Sequence, residues 1–189
     1  MIDKCELTGS GIILRRYCPD DAEGVYLAVR ESIAELSPRV QWCHEKYALD
    51  ETKTWIASCA ETWAKGEAYD FLIVDRINNS PLGGCGLNQL NKLDRIANLG
   101  YWVRTSRAGQ GIATEAARLL ADFGFKYLKL NRIEMIIAVD NAASQRVAQK
   151  LGAMREGVLR NRIAVRDRIY DALMFSLIPG NLEVLNTHN

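Results

Sequence analysis

Residues 106–125, SRAGQGIATEAARLLADFGF, set Gly109 and Gly111 one residue apart and lead without a break into apolar positions spaced for a helix. Glycine reaches backbone conformations that side chains forbid and lets a ligand approach the main chain. The first turn of a helix presents N–H groups without intrahelical acceptors, together with a partial positive charge. Side by side, these features make an anion cradle. Which anion is not settled by the glycines. A Walker A loop is excluded, because no Gly-Lys-Ser/Thr follows them. A dinucleotide fold asks for GxGxxG after the first strand and an acidic residue closing the next strand, about 20 residues on. Gly109, Gly111 and Thr114 imitate that spacing, yet the loop lies in mid-chain and Glu134 opens its strand. A ligand-free reading also stands, in which Gly109 turns the chain and Gly111 starts the helix.

The other reactive side chains narrow the field. Only two histidines occur, His44 and His188, and the five cysteines at 5, 18, 43, 59 and 85 contain no CxxC pair. No zinc site or histidine-dependent triad is assembled from such a set, and the thiols read as reduced. No metal is expected. GxSxG and HExxH are absent. With 24 Lys and Arg against 23 Asp and Glu, the net charge of +1 leaves no footprint for nucleic acid or an acidic membrane. No apolar run has the length of a leader or a membrane span, so a cytoplasmic protein is expected.

The elements that must position the loop follow from periodicity. At 189 residues, 48% of them hydrophobic, the chain reads as one domain. GIILRRY at 11–17 predicts a strand, and PDDAEGVYLAVRESIAEL a helix with an acidic first turn. The aromatic and polar segment SPRVQWCHEKYALD has no period and reads as a substrate-facing loop. A helix over about 51–65 follows, with Trp55, Ile56, Cys59 and Trp63 at helical spacing. YDFLIVD at 69–75, PLGGCGLNQLN, and RIANLGYWVR at 95–104 predict an antiparallel meander. Beyond the glycine loop come a helix over about 112–127, the strand RIEMIIAV at 132–139, and a short helix punctuated by Asn141 and Gly152. Two strands around a polar turn end the pattern.

This order, with NLGYWV, GQGIATEA, NRIEMIIAVDNAASQRVAQKLGA and REGVLRNR as its signposts, resembles the GNAT acetyltransferase superfamily over residues 11–178. Within it, the set is similar to the RimJ/RimL-like branch, which acetylates N-terminal amines of ribosomal proteins. The family motif Q/R-x-x-G-x-G/A falls on AGQGIA at 108–113, where Gly111 and Ala113 match and Ala108 departs from the polar first position. The resemblance implies an α/β (α+β) GNAT fold. Its mixed, mostly antiparallel sheet has about seven strands with helices on both faces, and acetyl-CoA lies in a splay between strands 4 and 5.

What the resemblance implies for single residues is specific. The backbone of Tyr101, Trp102 and Val103 would hold the pantetheine arm and acetyl carbonyl, with an N–H near Val103 as oxyanion donor. The backbone of Gly109, Gln110, Gly111, Ile112, Ala113 and Thr114 would hold the pyrophosphate, with Arg104 and Arg107 as candidate counter-charges. Asn141 would cap its helix and help hold the arm, and Ser144 would protonate the departing thiolate. The ribosomal-protein alanine acetyltransferases of the same superfamily pair a strand glutamate with a helix tyrosine, and the corresponding places here are Ile136 and Ala148, neither of which moves a proton. Glu134, on the same strand face as Ile136, is the nearest carboxylate, although pairing with Arg132 would occupy it. On the acceptor side, read from the residues themselves, Glu31, Trp42 and Tyr47, with Glu35 and His44 nearby, could surround a cationic amine; equally, the aromatics pack the helix pair and the acids are solvated.

The expected activity is acetyl transfer from acetyl-CoA to a primary amine by direct attack in a ternary complex. The expected acceptor is a protein N-terminus. With a pKa of about 7.8 an α-amine is roughly a quarter neutral near pH 7.4, whereas a lysine near 10.4 is roughly 0.1% neutral, a gap of about 3 kcal/mol. A chain without an evident base suits the former. A small-molecule amine acceptor and a non-catalytic acyl-CoA-binding module stay open at this level, as does a homodimer.

Overall fold

In a computed structural model, the described residues are 6–181. Cys5 and His188 lie outside them. Along the chain run β1 (Leu7–Thr8), β2 (Ile12–Arg15), α1 (Ala22–Glu31), α2 (Ile33–Leu36) and α3 (Leu49–Lys65). The meander β3 (Tyr69–Asp75), β4 (Pro81–Asn91) and β5 (Ile96–Val103) leads into α4 (Ile112–Lys126). Then follow β6 (Arg132–Ala138), α5 (Ala142–Lys150), β7 (Met154–Val165) and β8 (Arg168–Leu177).

The strands form one eight-stranded sheet in the order β1-β2-β3-β4-β5-β6-β8-β7. The strand beyond the expected seven is β1, whose two residues are too few to show a period. Every neighbouring pair is antiparallel except β5 and β6. Those two pair only through Ile96–Arg132, Ala97–Ile133 and Asn98–Glu134. Beyond Asn98, β5 stays with β4 as far as Val103, while β6 follows β8 as far as Ala138. The splay expected between strands 4 and 5 therefore lies between β5 and β6, β1 having shifted the count.

Two apolar layers cover the sheet. On one face Ala116, Ala117, Leu120 and Phe123 of α4 meet Leu87, Leu99, Ile133 and Met135. On the other, Val25 and Val29 of α1 meet Leu72 and Val74. Cys43 and Tyr47 join this second layer at 0% and 6% exposure. Burying a side chain of Tyr47's kind is worth about 1.5–3 kcal/mol, so the aperiodic segment before α3 is pinned to the sheet.

The single helix expected over residues 19–36 is broken. A 3-10 turn at Pro19–Asp21 precedes α1, and Ser32 separates α1 from α2. The fully buried Ser32 hydroxyl donates to Ala28 O at 2.7 Å and accepts from the Thr105 N–H at 3.0 Å. A contact across 73 residues fixes the break, and with it the end of β5.

Candidate active site

The glycine loop leaves the 3-10 turn Thr105–Arg107, which α1 and α2 clamp. Glu31 accepts from the Ser106 N–H at 2.7 Å and pairs with Arg104, and Glu35 accepts from the Thr105 hydroxyl at 2.9 Å. Gly109 and Gly111 follow with φ of +75° and +82°. A Cβ at either would have nothing within 4 Å. The glycines are therefore demanded by left-handed backbone, which costs an L-residue roughly 1–2 kcal/mol, and they face open space rather than packing.

The buried Ile112 side chain anchors the start of α4, and Gly111 O accepts the first helical bond, from Glu115 N. Among the described residues the N–H groups of 109–114 have no backbone or side-chain acceptor. Consecutive free donors at the positive end of a fifteen-residue helix suit a pyrophosphate. Glu115, the one acid of that first turn, is turned away and accepts from Ser10 and the Gly11 N–H.

The arginines proposed as counter-charges are already engaged. Arg104 binds Glu31, whose carboxyl it holds down at about 2 with help from Ser106. Arg107 bridges Asp75 at 3.0 Å and Gln110 at 3.1 Å, so Gln110 braces the loop through its side chain. The cradle consists chiefly of backbone.

At the splay, the β5 residues Tyr101, Trp102 and Val103 have no β6 partner. The Tyr101 side chain packs on the α4 face and Trp102 on the opposite one. The Tyr101 hydroxyl is buried beside Ser144 without a hydrogen bond of sound geometry, and burial pushes its phenol up. Asn141 Oδ1 accepts the Ser144 N–H at 3.1 Å, a cap worth about 1 kcal/mol. Asn141, Ser144 and Tyr101 thus meet at the mouth of the splay.

Glu134 sits at the vertex, opposite Asn98, but is held by Arg132 at 2.8 Å. Arg132 also forks onto Glu156 with two 2.6 Å bonds, and Glu156 accepts from Ser176 Oγ at 2.6 Å. The ion-paired alternative weighed for Glu134 is the one the geometry adopts, which leaves Glu134 poorly placed to act as a free base.

On the face opposite α4 a cleft of about 950 Å³ opens, and Trp42, Tyr47, Trp55, Trp102 and Tyr17 line it. Trp42 lies edge-on to Tyr47 and to Trp102, with ring centroids 6.0 and 6.1 Å apart. Trp42 and Tyr47, expected around the acceptor, both line this cleft, and Tyr47 also packs in the core layer beneath it. Glu31 does not line it; its carboxylate is spent on Arg104 and Ser106. His44 also lines the cleft, its Nε2 2.9 Å from Glu51. A carboxylate that sequence reasoning passed over, Asp70, reaches the floor. Its signal was available: in YDFLIVD it shares a strand face with buried Leu72 and Val74.

A family model described as "Acetyltransferase (GNAT) domain" matches residues 12–154. The chain belongs to the GNAT acetyltransferases. It is 34% identical over 114 residues to an uncharacterized N-acetyltransferase, p20, of Bacillus licheniformis, covering 60% of this chain and 64% of the relative. The match thus spans less than two thirds of that relative's length. A ribosomal-protein-serine acetyltransferase of Escherichia coli is 24% identical over 154 residues, covering 82% of this chain and 85% of its own. Among solved structures, a candidate ribosomal-protein-serine acetyltransferase from Vibrio cholerae superposes with a TM-score of 0.82 at 30% identity, covering 93% of this chain and 98% of the other. GNAT enzymes use acetyl-CoA, and the open glycine cradle and unpaired β5 edge fit that cosubstrate. The described residues contain no cluster of three or more metal-ligating side chains, and no helix among them is long and apolar enough to cross a membrane.

Proposed function

We propose that this GNAT chain transfers acetyl from acetyl-CoA to the N-terminal α-amine of a protein by direct attack in a ternary complex. One observation carries the reading: the backbone of Gly100, Tyr101 and Trp102 borders the splay on one side and the aromatic cleft on the other. A thioester held along the unpaired edge of β5 would meet an amine entering through the cleft with no rearrangement of the sheet. Acetyl-CoA supplies the activated acyl group. The chain's backbone N–H groups at 109–114 bind its pyrophosphate, and an N–H near Val103 faces charge developing on the carbonyl oxygen. Ser144, beside the buried Tyr101 hydroxyl, is the group that would return a proton to the departing thiolate. Positioning alone contributes up to roughly 7–11 kcal/mol in such reactions.

The named relatives that act on ribosomal proteins support a protein acceptor. The test is release of CoA thiol from acetyl-CoA with a panel of peptides bearing free N-termini, the same peptides blocked, and small primary amines. Turnover confined to free N-terminal peptides is expected. Turnover of the small amines alone would move the assignment to a metabolite acceptor, and CoA that fails to raise the melting temperature would remove it.

A further inference from the structure

Across three strands the register places Asp70 opposite Gly86, and Gly86 opposite Gly100. One row of the sheet therefore reads Asp, Gly, Gly, ending on β5 two residues past its last pairing with β6. A Cβ on Gly86 would collide with Asp70 Oδ1. The carboxylate thus leans over β4 toward β5, in space that any side chain at 86 would fill. At Gly100 a Cβ would find only Asn88 Nδ2, at 4.0 Å, so nothing stands between Asp70 and the edge of the splay. With strands about 4.8 Å apart, a carboxylate above Gly86 is roughly one strand spacing from the β5 backbone. A single nitrogen atom bridges such a gap.

Among the described residues no cation pairs with Asp70 and no hydrogen bond to its carboxylate is made. The titratable groups around it are Tyr17, after β2, Cys59 of α3 and Cys85 of β4, all raised chiefly by burial and hence neutral. His44, Asp50 and Glu51 also line the cleft, with His44 taken by Glu51. Asp70 is a half-buried carboxylate without a protein partner, open to the cleft; its ionised form is costly there, and such a group in a cleft marks a candidate functional site. The aromatic walls, Trp42 and Trp102 among them, suit an ammonium ion, since cations are attracted to aromatic rings.

We infer that Asp70 is the acceptor-side base, receiving the ammonium of a weakly basic primary amine in the aromatic cleft and taking its proton before attack. The inference rests on the acetyltransferase reading. In the step, one proton passes from the ammonium to the Asp70 carboxylate. The freed nitrogen lone pair forms the C–N bond, the C–S bond breaks, and the second nitrogen proton ends on the CoA thiolate. Asp70 then returns its proton to solvent, so one proton is released per turnover. Burial raises Asp70 to about 6, close to the working range of a base near neutrality. Proton transfer to it is uphill by about 2 units from an α-amine and about 4 from a lysine, which favours α-amines by more than a hundredfold.

The test is Asp70→Asn in the full chain. Acceptor kcat/KM is expected to fall about a hundredfold or more while CoA affinity stays within twofold. The acid limb of kcat/KM, near pH 6 in the parent, should move up to the pKa of the amine itself. A purely structural role would not move that limb. Turnover within threefold of the parent with an unmoved limb overturns the inference. A second measurement is independent of turnover: carboxyl carbon NMR of Asp70, titrated with and without L-phenylalaninamide. A lower Asp70 pKa in the presence of this ammonium supports the inference even if no amine is acetylated, in which case the proposed activity alone fails. An Asp70 pKa unaffected by saturating probe overturns it.

Discussion

Replacing Asp70 by Asn should make the protein more stable at neutral pH while disabling it. Burial alone raises Asp70 from 3.8 to about 6, a shift of about two units. At 1.36 kcal/mol per unit this amounts to about 3 kcal/mol, an upper figure because water enters the cleft. A carboxyl raised in the folded state binds its proton more tightly there than in the unfolded chain. Its favourable contribution is therefore full below about pH 4 and is lost as pH rises through about 6, leaving the ionised form as a fixed cost above that. Asn has nearly the same shape and no charge, so it removes the cost. The gain should be near zero at pH 4 and about 2–3 kcal/mol at pH 7.5, or roughly 4–12 °C in Tm for a chain of this size. Urea unfolding and calorimetry at the two pH values measure it. Equal effects at both, or destabilisation at pH 7.5, would mean that Asp70 has a native partner and that the argument for an unsatisfied base is wrong.

Three other outcomes are expected. Gly111→Asp places a charged side chain in the open space of the cradle on left-handed backbone, and should raise the acetyl-CoA KM at least tenfold with little change in acceptor KM; steady-state kinetics with both substrates varied decides this. Ser144→Ala should lower kcat more than either KM and leave the Asn141 cap intact, because the cap uses the Ser144 N–H; an unchanged kcat removes the proton-donor role. Glu134→Gln should keep kcat within a few-fold, since Arg132 already occupies the carboxylate, whereas a hundredfold loss would return the base to Glu134.

Features governed by neighbours in the chain were legible without coordinates. The apolar steps of residues 112–127 predict α4 nearly to the residue, and Asn141 opens α5 as its side chain dictates. The Gly109 and Gly111 pair announces left-handed backbone ahead of a helix, whatever the ligand. Distant contacts were not legible. The break at Ser32 depends on a hydroxyl shared between Ala28 and Thr105, and nothing local in RESIAEL calls for it. Glu31 looked free because its neighbours in sequence leave it so; Arg104 and Ser106, over 70 residues away, claim it.

The site divides along the same line. Helix starts, glycine turns and caps are local conformational preferences, so residue types and spacing determined the glycine loop and the helix starts, while the splay and its residues entered only through the resemblance to the GNAT superfamily. Which groups meet across the sheet is a matter of register, which hydrophobic burial sets over the whole fold. Asp70 is one acid among many in the sequence. Pairing of Asp70 with Gly86, and of Gly86 with Gly100, puts its carboxylate over β4 in a clear row that ends at Gly100, where β5 has left β6. Only the tertiary structure decided that, because no local rule brings residues 70, 86 and 100 into line.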